Sequence, residues 1–245
     1  PSGPELATRY GVSRQTIQQA LKPLRDEGLI VSQQGRGTYV RSRAERPVEL
    51  RPHLERAFSA PDVFIDFSGF SGETLSGALQ EPLDKIRGGT LAPRSISVRI
   101  LIPDTERPWS IPCLTETLQD SPEFRRRMAR IADRSVGQLA HSIEELSALQ
   151  LVPETSVMVR SMPSVPLFKV YIINKAEIFF GLYPITEHKL KLGDDMQTVW
   201  DLTGKDASLF HQANEGANST GALYVEQYQN WFNSMWESVA RELSL

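Results

Sequence analysis

The stretch Ser13–Gly28, SRQTIQQALKPLRDEG, determines how the beginning of this chain folds. It opens with a serine, whose short hydroxyl caps the free amides of a helix's first turn. It ends with a glycine, which favours the left-handed conformation that stops a helix. Apolar residues recur at the spacing of one helical face: Ile17, Ala20, Leu21 and Leu24. The other faces carry long polar side chains: Arg14, Gln15, Gln18, Gln19, Lys22 and Arg25. The stretch therefore predicts an amphipathic helix.

The segments on either side turn this helix into a larger motif. Ser2–Gly11 reads as a shorter helix followed by a tight turn, because Ser2 and Glu5 have capping-box spacing. We expect its buried side to consist of Leu6, Ala7, Tyr10 and Val12. After the second helix, Leu29–Ser32 and Thr38–Arg41 are β-prone runs around a glycine-containing tip. Two helices joined by a tight turn and followed by a hairpin predict a winged helix-turn-helix.

The residues PSGPELATRYGVSRQTIQQAL…EGLI…GRGTYV resemble the DNA-binding domain of the GntR family of bacterial regulators. The resemblance covers residues 1 to about 41. It implies a homodimer on a double-stranded DNA operator, with the second helix in the major groove and the wing at the minor groove. By matching position it assigns DNA contacts to Arg14, Gln15, Thr16, Arg36 and Gly37. The family's first helix would precede Pro1, so we expect that the chain either starts inside a longer protein or lacks that helix.

The sequence also departs from the family pattern. Gly3-Pro4 replaces an acidic–basic pair, and Gln18 replaces a common arginine. Base reading should therefore rest more on Arg14, Gln15, Gln18 and Gln19, which are suitable partners for base edges. The alternative is a solvated face on a structural helix; the wing that follows favours DNA binding.

Charge is distributed unevenly along the chain. Residues 1–51 contain nine Lys and Arg against five Asp and Glu, a net charge of +4. Since the whole chain carries −3, the remainder carries −7. A basic head on an acidic body is typical of a protein in which one domain binds phosphates. The single Cys113 excludes an intrachain disulfide, and no apolar run is long enough to span a bilayer. We expect a cytoplasmic protein with no membrane contact.

Three regions follow from these patterns: a winged helix-turn-helix in 1–41, a linker in 42–60 and a second domain in 61–245. The linker is rich in Arg, Glu and Pro, with a helical stretch at Leu54–Phe58 and a solvated His53. In the second domain, strands alternate with helices, and ISVRILI at Ile96–Ile102 is largely apolar on both faces, as in a central strand of a sheet. This alternation predicts an α/β domain with a mixed, partly parallel sheet.

The second domain also resembles a degenerate phospholipase D-like domain. The spacing of Leu167, Lys169, Asn174, Gly181 and Leu182 is similar to that superfamily's signature H-x-K-x4-D-x6-G-S, although only the lysine and the glycine match. A leucine replaces the histidine nucleophile, and it has no lone pair with which to attack phosphorus. We therefore expect no catalytic residue and a binding module on an inactive enzyme fold. The alternative is that a lysine on a strand before a hairpin has no functional meaning.

An anionic small-molecule effector fits this interpretation. The candidate effector-binding residues are Lys169, Asn174, Ser68 and Ser71, of which the two serines flank a glycine-containing turn after a strand. His141, His188 and His211 stand far apart in the sequence without metal-ligand spacing, so we expect neither a metal site nor a cofactor.

Together these features predict a dimeric, ligand-responsive transcriptional repressor that binds a pseudo-palindromic operator. Two alternatives stay open. One is a DNA-tethered phosphodiesterase-like or nucleotidyl enzyme, and the other is a regulator whose effector domain is of the UTRA type.

Overall fold

The computed structural model of the chain describes residues 3–26, 30–33, 37–40, 49–204, 207–216 and 219–243. The chain divides into two compact units, Pro1–Arg46 and Pro47–Leu245. Unit 1 contains α1 (Gly3–Tyr10), α2 (Arg14–Asp26), β1 (Ile30–Gln33) and β2 (Gly37–Val40). The two strands form an antiparallel hairpin. This order of elements is the predicted helix-turn-helix with a wing.

Unit 2 begins with a helix and alternates strands with helices before ending in strands and one further helix. Its helices are α3 (Leu50–Phe58), α4 (Glu73–Arg87), α5 (Pro122–Ala148) and α6 (Thr220–Ser238). Its strands are β3 (Asp62–Ser68), β4 (Ser95–Pro103), β5 (Cys113–Leu114), β6 (Glu154–Met162), β7 (Phe168–Ile173), β8 (Glu177–Leu182), β9 (Ile185–Leu192), β10 (Asp195–Leu202), β11 (Phe210–Ala213) and β12 (Arg241–Glu242).

Seven strands form the main sheet in the order β11-β8-β7-β3-β4-β6-β12. The neighbours β3, β4 and β6 are parallel, while β3 and β7, β7 and β8, β8 and β11, and β6 and β12 are antiparallel. The α/β class and the mixed, partly parallel sheet are therefore confirmed. The run Ile96–Ile102 lies in β4, near the middle of the sheet. Helices cover both faces, but one side of the strand carries the half-buried polar residues Ser97 and Arg99.

The helices divide between the two faces of the main sheet. One face packs against α3, α4 and α5 around a core that includes the fully buried Leu54, Phe58 and Tyr171. The other face packs against α6, where Phe232 and Trp236 are buried. Unit 2 is therefore a three-layer arrangement in which each sheet face removes apolar side chains from water.

The predicted linker, residues 42–60, contains structure that belongs to unit 2. Residues 41–48 lie outside the described part of the chain. α3 covers Leu50–Phe58, and its Leu54 and Phe58 are completely buried in the core of unit 2. The proline and the charged residues of this helix obscured its apolar face, which consists of Leu50, Leu54, Ala57 and Phe58.

The sequence did not indicate the second, smaller sheet. Its strands β5, β10 and β9 are antiparallel in that order. The sequence of β9, ITEHKLKL, is mostly polar, and its residues alternate between exposed and half-buried positions. A strand that buries so little apolar surface gives only a weak period-two signal.

Candidate functional site

The first region with the properties of a functional site is the start of α2. The Ser13 hydroxyl oxygen accepts a hydrogen bond from the Thr16 amide at 3.1 Å, as expected of a capping residue. Ser13 Oγ and Thr16 Oγ1 are also 2.8 Å apart. The turn before α2 closes through the Val12 amide, which donates to the Ala7 carbonyl at 3.1 Å. Gly11 takes the positive φ of 64° that this turn requires.

These local contacts leave one face of α2 in solvent. Only Ile17 is buried between positions 12 and 20. The predicted DNA-contacting residues of α2 are all exposed: Arg14, Gln15, Thr16, Gln18 and Gln19. They lie within two turns of a capped helix, so their side chains project from a fixed backbone.

Part of the predicted core of unit 1 is wrong. Ala20 is exposed, and so are Tyr10 and Val12, at 65% and 39%. A small unit buries a smaller fraction of its apolar surface than a large one. The Tyr10 ring instead lies beside the Arg9 guanidinium, 6.0 Å from its carbon.

The wing is described only in its strands. Backbone pairing runs from Ile30 opposite Val40 to Gln33 opposite Gly37. Gly37 therefore starts the second strand of the wing, while the predicted contact Arg36 lies outside the described residues.

The second region is a cavity of about 400 Å³ in unit 2, which we call the cleft. It lies where β3 ends and α4 begins, beside the small sheet. Ligands of open α/β sheets commonly bind outside the carboxyl ends of parallel strands. Its lining is part aromatic and part charged, and it includes Phe70, Ser71, Glu73, Arg127, His188 and Asp201.

Hydrogen bonds to two tyrosine hydroxyls hold the wall formed by the β3–α4 turn. The Phe70 amide donates to the Tyr183 hydroxyl at 3.1 Å, and Thr74 Oγ1 lies 2.7 Å from the Tyr171 hydroxyl. Burial raises the pKa of Tyr171 to about 12, so this hydroxyl stays protonated. A Cβ at Gly69 would lie 2.4 Å from the Phe67 ring, so only glycine fits there.

Three of the four predicted effector residues lie at this end of the sheet. Ser71 lines the cleft, and its hydroxyl donates to Glu73 Oε2 at 3.2 Å. Ser68 ends β3 with a fully buried hydroxyl that has no hydrogen-bond partner among the described residues. Lys169 is 5% exposed, and its Nζ donates to the carbonyl of Gly204, a residue of the cleft lining, at 2.7 Å. Burial lowers the pKa of Lys169.

The fourth, Asn174, is not part of the cleft. It lies in the turn between β7 and β8, at the opposite end of β7 from Lys169. Its Oδ1 accepts from the Phe64 amide at 2.8 Å, and its Nδ2 donates to the Ala57 carbonyl at 3.2 Å. Both groups of the amide join α3 and β3 to the hairpin, which is a structural role.

The other positions of the phospholipase D-like spacing lie together at the open end of the β7–β8 hairpin. Lys169 pairs directly with Gly181 across the β7–β8 hairpin. Leu167 and Leu182, which replace the histidine and the serine of the signature, are 55% and 67% exposed. The likeness to a phospholipase D-like domain stays a prediction.

The sequence missed the charged wall of the cleft. His188 of β9 and Asp201 of β10 approach to 3.3 Å between Nδ1 and Oδ2, and Arg127 of α5 completes this wall. Burial raises the pKa of Asp201. The hydrogen bond from the Leu202 amide and the charges of His188 and Arg127 lower this pKa, but by less than burial raises it. Only the pairing of β9 with β10 brings these residues together, and neither strand was predicted.

A further cavity of about 420 Å³ lies under α6; we call it the α6 cavity. Arg99 donates to both carboxylate oxygens of Asp66, at 2.7 and 2.6 Å, and to Asn233 Oδ1 at 2.9 Å. Gln229 Nε2 donates to Asp66 Oδ2 at 2.8 Å. The charges of Asp66 and Arg99 therefore satisfy each other.

The expectation of a solvated His53 is wrong. Its side chain is 17% exposed and contacts Glu177, because α3 packs onto the sheet instead of lying in a linker.

The beginning of the chain is similar to known proteins. Residues 1–40 match the family described as "Bacterial regulatory proteins, gntR family". The chain is 36% identical over 73 residues to an "Uncharacterized HTH-type transcriptional regulator YurK" of Bacillus subtilis, covering 30% of this chain and 26% of that protein. It is 55% identical over 40 residues to a "Histidine utilization repressor" of Klebsiella aerogenes, covering 16% and 17%. The chain thus spans about a quarter or less of the length of these relatives.

Among solved structures, a phosphatidylserine synthase of Haemophilus influenzae aligns with 94% of this chain and 47% of its own. The identity is 10% and the TM-score 0.37. A score of that size does not establish a common fold. None of the helices in the described part of the chain is both long and apolar enough to cross a bilayer.

Proposed function

We propose that this protein is a ligand-responsive transcriptional repressor that binds a double-stranded DNA operator through α2. The observation that carries the proposal is the start of α2. There a capped helix exposes five polar side chains within its first two turns, and the segment matches the GntR family. Arg14 and the glutamines have the donor groups that bind base edges in the major groove. A repressor of this kind acts on the chromosome, so we place it in the cytoplasm.

We further propose that it binds as a homodimer to a pseudo-palindromic site, with one head in each half-site. The effector would bind in the cleft of unit 2. Arg127, Lys169 and the free amides at the start of α4 favour a ligand with an anionic group, while the aromatic lining suits an apolar body. Such a ligand changes operator affinity only to the extent that it prefers one conformation of the dimer.

DNA selection from random sequence, followed by fluorescence anisotropy on the selected site, tests the DNA-binding part. We expect one preferred sequence with two-fold symmetry and an affinity that falls steeply as salt rises. Arg14→Ala should cost about 1–3 kcal/mol at one base position. Arg134→Ala, an exposed arginine of α5, is the matched control and should leave binding unchanged. Failure to enrich any sequence would refute the proposal.

Thermal-shift screening of small carboxylates and phosphates against the full chain tests the effector part. A ligand that binds the native protein raises its melting temperature by mass action. We expect that ligand to weaken operator binding and to lose its effect in Lys169→Met. A ligand that shifts melting equally in wild type and in this variant would place the effector elsewhere while leaving the DNA-binding part intact.

We propose no catalytic activity for unit 2. The support is the leucine at position 167 and the regulatory names of the relatives. Hydrolysis of a generic phosphodiester by the wild-type chain, and not by Lys169→Met, would contradict this and favour the DNA-tethered enzyme.

A further inference from the structure

Two histidines far apart in the sequence meet at one carboxylate of unit 2. His53 lies in α3, Glu177 is the first residue of β8, and His211 lies in β11. His53 Nδ1 is 2.5 Å from Glu177 Oε2, and His211 Nε2 is 2.8 Å from the same oxygen. The three side chains are 17%, 22% and 18% exposed in that order. We call these three residues the His–Glu cluster.

The sheet and an aromatic ring hold the cluster in place. β11 pairs with β8 so that His211 lies opposite Phe179, two residues beyond Glu177 on the same face. The fully buried Phe179 ring stacks on the His211 ring at 4.5 Å and meets the His53 ring edge-on at 4.8 Å. Both imidazoles are therefore oriented by packing against one rigid side chain, as a preformed binding site requires.

The hydrogen-bonding demands on His53 conflict with one another. Its Nδ1 lies 2.6 Å from Arg56 Nη2 as well as 2.5 Å from Glu177 Oε2. The guanidinium can only donate a hydrogen bond, so its contact requires a lone pair on Nδ1. The ionised carboxylate can only accept one, so its contact requires a proton on the same atom. Hydrogen bonds alone cannot satisfy this atom in both directions.

We propose that His53, Glu177 and His211 bind a divalent transition-metal ion of the zinc type, with water in the remaining position. Two imidazole nitrogens and one carboxylate oxygen are a ligand set that Zn²⁺ accepts, whereas Mg²⁺ and Ca²⁺ prefer oxygen ligands alone. The three candidate ligand atoms lie within 4.8 Å of one another. Tetrahedral bonds of about 2.0–2.1 Å place ligand atoms roughly 3.3 Å apart, so small side-chain rotations are enough to admit the ion.

Arg56 is the charged neighbour that opposes the metal. Its guanidinium is also 3.8 Å from Glu177 Oε1, and its side chain is 64% exposed. A cation this close lowers metal affinity, but an exposed side chain can turn into solvent when the ion enters. Removing the charge of Arg56 should therefore tighten metal binding, a result that a purely structural cluster does not give.

The metal would join α3 to the edge of the main sheet. His53 and Glu177 are 124 residues apart, so the ion closes a long loop, and closing a long loop constrains the unfolded chain strongly. Binding to the native state alone also raises the melting temperature. The site is separate from the cleft and does not depend on what the cleft binds.

Metal titration of the tag-free, chelator-treated full chain tests the proposal. We expect Zn²⁺ to bind with one equivalent per chain by calorimetry, and Co²⁺ to give visible absorption bands at the same stoichiometry. Glu177→Gln and His211→Gln should each weaken binding by more than about 100-fold, beyond the loss typical of outer-shell changes. Arg56→Gln should bind Zn²⁺ several-fold more tightly than the wild type does. Because this variant is expected to gain affinity, a folding defect cannot be mistaken for the expected result.

His141→Gln is the matched control, because His141 is exposed on α5, and it should bind as the wild type does. Circular dichroism of each variant separates lost binding from lost folding. The proposal fails if the wild type binds no equivalent of Zn²⁺ or Co²⁺, if His211→Gln binds as tightly as the wild type, or if Arg56→Gln gains nothing. In each of these cases the cluster is a hydrogen-bonded structural contact.

Discussion

The cleft and the α6 cavity are similar in volume, about 400 and 420 Å³, and differ in how their charges are paired. In the α6 cavity, Arg99 binds both oxygens of Asp66, and one amide contact each comes from Asn233 and Gln229 of α6. At the cleft, Lys169 has a backbone carbonyl as its contact, and Asp201 meets His188 only at 3.3 Å. Removing one partner of a buried ion pair is costly because the other charge is left unpaired, whereas a buried charge without a full ion pair in a cavity is a candidate contact for a ligand. This difference supports a structural interpretation of the Asp66–Arg99 pair and agrees with the proposal that the cleft binds the effector.

The largest effect should come from breaking the pair under α6. Asp66 and Arg99 are 10% and 22% exposed, so Arg99→Ala leaves a buried carboxylate without its cation. We expect a loss of about 3 kcal/mol in the free energy of unfolding, measured by urea denaturation. Arg94→Ala is the control, because Arg94 also pairs with an aspartate, Asp62, but its own side chain is 71% exposed. Equal losses in the two variants would show that the α6 cavity is no more structural than the protein surface.

Lys169→Met should have a smaller effect and the opposite sign. Burial lowers the pKa of Lys169, so the native state accommodates its charge at a cost. We expect the variant to be more stable than the wild type near neutral pH by about 1 kcal/mol, and to respond no longer to the effector. Between the lowered and the ordinary pKa, the unfolded chain holds more protons than the native one, so wild-type stability rises with pH.

The stability difference between wild type and Lys169→Met should therefore narrow as the pH is raised from about 7 to 10. Urea denaturation across that range measures it. Lys189→Met removes an exposed lysine from β9 and should show neither the gain nor the narrowing. A Lys169→Met variant that is clearly less stable than the wild type would make Lys169 a structural residue.

The two units also differ in how far their sequences predict their structures. The capped start of α2 depends on residues three positions apart, Ser13 and Thr16, and the exposed face follows from helical periodicity. The sequence therefore predicted both the element and its polar side chains. The wing followed from two short β-prone runs around a glycine-containing tip.

The cleft could not be predicted in the same way. Its charged wall needs β9 and β10 to pair beside α5, and the polar sequence of β9 gives little sign of a strand. The sequence spacing placed Lys169 and Asn174 in one site. This prediction fails because the two residues lie at opposite ends of the extended strand β7. His53 and Glu177, 124 residues apart, meet only because α3 packs onto the sheet. Contacts between residues so far apart in the sequence depend on the order and pairing of strands and helices, which the periodicity of a single segment does not predict.

Asp201→Asn should have the smallest effect and tests the charged wall of the cleft directly. Burial raises the pKa of Asp201, so between its ordinary and its raised pKa the native state holds more protons than the unfolded chain. Wild-type stability should therefore fall as the pH rises through that interval, and the amide should remove this slope. Urea denaturation from about pH 4 to 7 measures it, and we expect the variant to gain less than about 1 kcal/mol at pH 7.

Asp195→Asn on the same strand is the control, since Asp195 is exposed. Because Asp201→Asn removes a negative charge from the cleft, an anionic effector should also bind it more tightly than it binds the wild type. A weaker response to that effector would mean that the carboxylate of Asp201 contacts a donor group of the ligand. The cleft would then recognise a ligand with a cationic or hydroxyl group at this wall, and the contrast with the self-paired α6 cavity would become sharper.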